Sequence, residues 1–430
     1  MLLFFPVFFG YLLQQTYGFI DAIVLGKFVG KAGLAGVGGS ATAIINVILN
    51  VIVGITASIT VLVAQNYGKG DFQRVNSIIK TGFFLCFAFG GILTALVLLL
   101  SPLLLNLMNE PSESIQYSLT YLRLYAFSFI PYFIYQMGVY TLRGLGDNKR
   151  PNYFIMIIAV TKIGFDLLFA GVFKLGVFGT SLATFLSYFI CAIAILLIFH
   201  LTPDIYQYSL KEFGYDKEEI KNILRMGIPF AIQNAAYALP GIVLQTKLNN
   251  FGTDAVAAYS AYTHIDNVFW CYANTISTIL ITIVGQNYGN NNIARVKKIV
   301  YTAIKIEIVG SLFFGVVFNL FSQQILSLFL DDMDVIKIGI SMLFVTSTKY
   351  LLHMFVGTIG STCKGCGLVK FPSTTTIFTI LILRTAFVLF YPHSNASDPL
   401  ICFPLSWAAT SIVYALYFFT NKKFKGVKAA

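Results

Sequence analysis

The chain writes one corner twice. Val63-Ala64-Gln65-Asn66-Tyr67-Gly68 is followed by Arg74, Val75 and Ile78, and Val284-Gly285-Gln286-Asn287-Tyr288-Gly289 by Arg295, Val296 and Ile299. Each residue of the second set shared with the first stands 221 positions after its counterpart. A second motif keeps the same offset: Arg143-Gly144-Leu145-Gly146, with Lys149 and Pro151, is answered by Lys364-Gly365-Cys366-Gly367, with Lys370 and Pro372. Two separate motifs at one offset define a duplicated unit. Any fold for this chain has to be assembled from two similar halves.

The halves are apolar. Of 430 residues, 57% are hydrophobic and 11% charged, against about 25% charged in a soluble protein. A helix needs about 20 apolar residues to cross a bilayer. Breaks at charged residues, Gly and Pro predict twelve such spans: 2–25, 38–64, 76–100, 115–142, 152–173 and 176–199, then 221–248, 256–284, 298–322, 336–362, 373–391 and 399–420. The expected fold is an all-α integral membrane protein. Six spans per half return each half to the side where it began, so the two six-helix lobes are expected to be related by a pseudo-twofold axis along the membrane normal. The N-terminal lobe takes 1–200 and the C-terminal lobe 220–430, with a short basic tail. Between them 201–219 carries Pro203, Asp204, Lys211, Glu212 and Asp216 to Glu219, and reads as a linker running into an amphipathic helix start.

Basic residues set the orientation. Lys69, Arg74, Arg143, Lys149, Lys211, Arg225, Arg295, Lys364, Lys370 and the Lys422–Lys428 tail fall at one set of span ends. The other set has only Lys27, Lys31, Lys174, Lys247 and Lys337, among acids such as Glu110, Asp331 and Asp398. Both termini, the linker and all four repeated motifs are therefore expected in the cytoplasm, and the chain in a bacterial inner membrane. The net charge of +11 does not point to nucleic acid, because the basic residues form no single patch. The six cysteines are scattered, so no disulfide framework follows. Cys363 and Cys366 form a lone CxxC, better explained by small residues at a helix end than by a metal or redox site. Pro6 corresponds to Pro229, yet the seventh span has a polar lead and the first does not. The repeat register predicts a missing lead of roughly ten residues; without a basic n-region it is no signal peptide.

The repeated corners favour architecture over chemistry. Gly68 and Gly289 can end a helix in the left-handed conformation, and the neighbouring amides can satisfy carbonyls freed there. Ionisable groups inside spans are the stronger candidates, since each costs about 2.5–3.5 kcal/mol at mid-bilayer on insertion scales. The first half has Asp21, Arg123, Lys162 and Asp166. By helical rise Asp21, Lys162 and Asp166 lie roughly 8–16 Å below the outer ends of their helices, and Thr184 falls in the same layer. Lys162 and Asp166 are four apart and share a face. A lysine neutralising carboxylates at one depth makes a proton-responsive cluster; the bland alternative is a static ion pair that fixes packing. Function is the stronger reading for Asp21 and Asp166, and for Lys162 the two are balanced. The second half offers Asp266 as its best candidate, with Glu307, Lys349 and Arg384; Glu307 and Lys349 could serve only as charge partners. His264 is read as a hydrogen-bonding histidine before a proton relay.

These residues resemble a known family. The twelve spans in two halves, the paired Gln-Asn-Tyr-Gly motifs, Leu142-Arg143-Gly144-Leu145-Gly146-Asp147, Ile20-Asp21-Ala22-Ile23-Val24-Leu25-Gly26, Asp166-Leu167-Leu168-Phe169 and Ala183-Thr184 are similar to the multidrug and toxic compound extrusion (MATE) transporters. The resemblance covers nearly the whole chain. It implies a secondary antiporter that exports amphipathic, often cationic drugs or metabolites in exchange for H⁺ or Na⁺, by rocking of two lobes around a central cavity. In the bacterial and archaeal branch it implies a cation site built from Asp21 on span 1, the positions of Lys162 and Asp166 on span 5, and Thr184 on span 6, with Pro6 allowing span 1 to bend. Lys162 stands where that pattern has Asn, and a fixed ammonium there would occupy or repel Na⁺, so H⁺ is the expected coupling ion. Span 7 has no acid, where another branch uses Glu; Gln233, Asn234 and Tyr237 are its polar groups. No cofactor or metal is expected, and the partners are small amphipathic substrates and the bilayer, with the chain a monomer. The alternative is a flippase for lipid-linked oligosaccharides of the same superfamily. An enzyme is disfavoured because His200, His264, His353 and His393 are dispersed.

Overall fold

The computed structural model describes residues 4–15, 41–108, 115–202, 207 and 214–420. Asp21, most of the 201–219 linker and the basic tail lie outside them. Among the described residues there is no strand. Helix α1 covers 4–15; α2 is Thr42–Lys69, α3 Phe72–Leu107, α4 Ile115–Ala126, α5 Phe129–Leu145, α6 Arg150–Val172 and α7 Gly176–Leu201. Then follow α8 Lys217–Asn249, α9 Thr253–Gly289, α10 Ile293–Leu320, the short helix Ser322–Leu326, α11 Met333–Ser347, α12 Tyr350–Gly365, α13 Lys370–Phe390 and α14 Asp398–Thr420. Nine of the described helices are long and apolar enough to cross a membrane, and α11 with α12, bent by 42°, makes a tenth if the pair is one span.

The chain divides into two compact units, 1–231 and 232–430, the division falling inside α8. In the first, Ile52, Ile59, Phe83, Phe129, Phe133, Phe154 and Phe199 are fully or almost fully buried together. In both units large apolar side chains also face outward, as with Leu99 at 76% exposure and Phe390 at 83%. A soluble protein rarely displays such a surface, whereas a bilayer solvates it.

The duplication is visible in the backbone of each unit. Helix α2 ends at Gly70, with φ +76°, and α9 reaches the same turn at Asn291, with φ +53°. One residue on, Asp71 accepts a hydrogen bond from the Arg74 amide at 3.1 Å, and Asn292 accepts one from the Arg295 amide at 3.0 Å. Asn66 Nδ2 donates to the Leu62 carbonyl, and Asn287 Nδ2 to the Ile283 carbonyl. The asparagine amides of the repeated motif are thus spent on their own helices, and the caps open the next helix. The second motif behaves alike: a Cβ on Gly144 would stand 3.0 Å from the Thr60 carbonyl and Val63, and one on Gly365 3.0 Å from the Ile281 carbonyl and Val284.

Two expected spans are corrected. The runs 115–142 and 336–362 are broken, not continuous. The breaks fall between Ala126 and Phe129 and between Ser347 and Tyr350, again 221 apart. At each the Ser128 and Lys349 amides bond three residues back, to Tyr125 at 2.8 Å and Thr346 at 3.0 Å, which tightens the turn. In the first unit Pro131 adds a cause, since it has no N–H to offer the Phe127 carbonyl. Spans 152–173 and 373–391 also depart from regular helix, widening to π geometry over Leu167–Val172 and Ile377–Ile382. These two segments do not coincide in the repeat.

The polar lead of α8 packs on α3. Glu219 is buried and takes the Arg74 guanidinium at 2.8 Å. The Asp216 amide donates to Thr81 Oγ1 at 3.0 Å. Arg74 of the repeated corner therefore ties the end of the linker to the first unit.

Candidate functional site

In the first unit α6 brings two candidates together. Lys162 and Asp166 lie one turn apart, 6% and 1% exposed, and Lys162 Nζ stands 2.5 Å from Asp166 Oδ2. Asp166 is the last residue before the π segment. Such widened turns shift the register of side chains and are frequent at functional sites. The pair is neutral as a whole, which makes its burial tolerable, and each partner is a charge-assisted hydrogen bond for the other.

Thr184 is buried on α7, the helix packed beside α6. Its hydroxyl donates to the Thr180 carbonyl at 3.0 Å. Tyr188, one turn further on the same helix, contacts the rings of Tyr132 at 5.1 Å and Tyr135 at 6.2 Å. Gln136 Nε2 donates to the Tyr132 hydroxyl at 2.6 Å. This buried tyrosine–glutamine cluster on α5 and α7 was not read from the sequence. An amide inside an apolar span, and a tyrosine four residues after Thr184, were the available signals. Pro6 lies in α1, and its carbonyl accepts a hydrogen bond from Asn152 Nδ2 at the start of α6.

In the second unit Asp266 on α9 is buried and well bonded. Its Oδ1 accepts from the Tyr350 hydroxyl at 2.5 Å and its Oδ2 from Trp270 Nε1 at 2.7 Å. Tyr350 stacks on Phe269 with centroids 3.7 Å apart. Trp270 meets Trp407 at 6.0 Å and His353 at 5.0 Å. The chain has only two tryptophans, and they touch. Arg384 on α13 is buried, donates from Nε to Ser406 at 2.6 Å and lies 4.7 Å over the Phe403 ring.

The remaining candidates are dispersed within this unit. Gln233 is buried and donates to Thr376 Oγ1 at 2.9 Å; Asn234 is half-buried and Tyr237 exposed. Glu307 and Lys349 are not charge partners. Lys349 is half-buried and bonds Thr348 Oγ1 at 2.9 Å, while Glu307 is fully buried with no hydrogen-bond partner among the described residues. Lys305, two residues before Glu307, is exposed and so faces away from it. His264 lies flat against Phe329 at 5.8 Å.

The comparisons with known proteins agree with the duplication. The MatE family model matches twice, over residues 6–168 and 229–390. The probable multidrug resistance protein YoeA of Bacillus subtilis is 26% identical over 97% of this chain and 92% of its own length. The probable multidrug resistance protein YpnP of the same organism is 27% identical over 90% of this chain and 85% of its own. A solved structure, described as the outward-facing conformation of a multidrug resistance MATE family transporter of the MOP superfamily, superposes with a TM-score of 0.89. It is 22% identical, over 96% of this chain and 93% of that one; at that identity the likeness carries the fold alone.

Proposed function

The chain belongs to the MatE family, and we propose that it is a secondary antiporter exporting small amphipathic, cationic compounds in exchange for protons. The multidrug resistance named for its relatives supports the cargo class. The observation that carries the coupling is the buried contact of Lys162 with Asp166. A proton arriving at Asp166 cancels one carboxylate beside the buried ammonium and raises the charge of the site by one. An organic cation drawn to the same carboxylate adds the same single charge. The site therefore takes one positive guest at a time beyond its own lysine, which is the condition for exchange. Asp21 is the second carboxylate of this site, and Thr184 supplies hydroxyl lone pairs.

Transport then follows by alternation of two six-helix lobes around the substrate, in a bacterial inner membrane with both termini in the cytoplasm, the chain acting alone. Twelve spans follow if α4 with α5 and α11 with α12 each cross once and the first span runs beyond the described 4–15. Lys162 fills the place of a metal cation, so H⁺ and not Na⁺ drives the cycle.

The test is efflux from proteoliposomes with pH and Na⁺ gradients imposed separately. Wild-type protein should move a fluorescent organic cation under the pH gradient alone. Asp166→Asn should reduce that flux at least about tenfold, the loss of roughly 1.4 kcal/mol in coupling. Wild-type flux in Asp166→Asn would remove the site from the mechanism.

A further inference from the structure

Glu307 is the most anomalous group in the second unit. It lies on α10 at 0% exposure, and neither carboxyl oxygen has a hydrogen-bond partner among the described residues. Beside it α12 carries Gly357, and an added Cβ there would stand 2.9 Å from Glu307 Oε1 and 3.7 Å from His353 Nδ1. His353 Nδ1 is also without a hydrogen-bond partner among the described residues, on a ring only 6% exposed. That ring is enclosed by Trp270 at 5.0 Å, Trp407 at 6.0 Å and Phe269 at 6.3 Å. An orphan carboxyl and an orphan ring nitrogen thus border one glycine.

The chemistry decides what such a pair holds. A carboxylate stripped of water and given no donors has nothing to replace its hydration, and burial of this kind favours the neutral acid. The neutral acid has an O–H to give, and imidazole nitrogen is an acceptor when the other nitrogen carries the hydrogen. The titratable groups around it fit this state: Arg384 on α13, bonded to Ser406, is a buried cation that disfavours a second positive charge on His353, and on α14 Asp398 accepts from the Ser394 and Asn395 amides. From α9, Tyr272 donates to the Ile306 carbonyl at 2.6 Å, and Asp266 is occupied by Tyr350 and Trp270. On α11 the charged groups are Asp334 and Lys337, which pair with each other at 2.8 Å at its exposed start. In the turn before α12, Lys349 bonds Thr348. On α12 itself the others are Cys363 and Lys364, two to three turns beyond His353.

We propose that Glu307 and His353 form a second proton-holding site, inside the second unit, in which Glu307 carries the proton and His353 Nδ1 accepts from it across the space left by Gly357. The site is separate from Lys162 and Asp166 and shares no residue with them. Its use in transport rests on the antiport reading; its protonation does not.

Infrared difference spectra of the full-length protein in detergent, recorded across a pH step in H₂O and D₂O, test it. Wild type should show a carboxylic-acid C=O band that shifts in D₂O. Glu307→Gln should lose that band and Asp166→Asn keep it. Gly357→Ala, which pushes a methyl against Oε1, and His353→Gln, which removes the acceptor, should each displace it. A band unchanged in Glu307→Gln, or in both Gly357→Ala and His353→Gln should Glu307→Gln fail to fold, overturns the proposal. In proteoliposomes Glu307→Gln should lower the protons moved per substrate by one; an unchanged ratio removes the site from coupling. If wild type ignores the pH gradient altogether, the antiport reading falls and the infrared result stands on its own.

Discussion

Lys162 places its amine beside the Asp166 carboxylate, and its removal has a calculable sign. In Lys162→Asn, Asp166 keeps its buried position and loses a partner 2.5 Å away. Breaking a buried pair from one side costs about 3–5 kcal/mol, unless another cation enters. The asparagine amide oxygen and the Thr184 hydroxyl can then help ligate Na⁺. The thermal midpoint of Lys162→Asn in detergent should therefore fall below wild type in choline chloride and recover in NaCl. A cation present at 100 times its Kd restores about 2.7 kcal/mol. Wild type should be indifferent to the exchange, and an equally indifferent variant would mean that the lysine is packing alone. Lys162 and Asp166 were legible because charge inside an apolar run is rare and a spacing of four is a helix turn. The partners of Asp266 were not. Tyr350 stands 84 positions from it, and in a chain with 24 tyrosines and 41 phenylalanines no single ring is a signal. The paired tryptophans were the one usable exception.

The elements repeat more faithfully than the side chains between them. Gly70 and Asn291 occupy one left-handed turn in two copies, so the sequence has already shown that asparagine is tolerated there. Gly70→Asn should leave the thermal midpoint close to wild type. Gly70→Val should cost about 1–2 kcal/mol, because a branched Cβ clashes with the following carbonyl in that conformation. A tie between the two variants would mean that the corner yields. Equally specific is Glu219, buried against Arg74 at 2.8 Å. With Arg74 partly exposed, Glu219→Gln should cost about 1.5 kcal/mol, the low end for a charge-assisted bond. Because that bond fixes the lead of α8, trypsin cleavage near Lys211 should also accelerate. The corners were readable since glycine, asparagine and arginine have few reasons to recur in register, but the turning residue was not: Gly68 and Gly289 stay helical, and the left-handed positions are Gly70 and Asn291. The breaks at 127–128 and 348–349 and the π segments were not, because hydropathy runs through them without interruption. They depend on which amide finds which carbonyl, a choice made by packing.

At the scale of the molecule, the parity of crossings separates a parallel duplication from an inverted one. From the end of α2 to the end of α9 the chain passes α3, the pair α4 and α5, α6, α7, α8 and α9. If the broken pair crosses once, the count is even, and equivalent corners lie on one side of the membrane. If the pair is re-entrant, the count is odd and they lie on opposite sides. Lys69 and Asn290 are equivalent positions, both exposed at their helix ends, and Asp331 is an exposed position expected on the far side. All six native cysteines are buried, so wild type should give little background with a membrane-impermeant maleimide. In intact cells Asp331→Cys should label, and Lys69→Cys and Asn290→Cys should label only after permeabilisation. Labelling of Lys69→Cys and Asn290→Cys from opposite sides would rule out the parallel arrangement, however exact the 221-residue repeat. The physical content is simple: a local corner can be copied in either orientation, because its caps are satisfied within a few residues. Only the number of helices between two copies decides which face of the membrane each one meets.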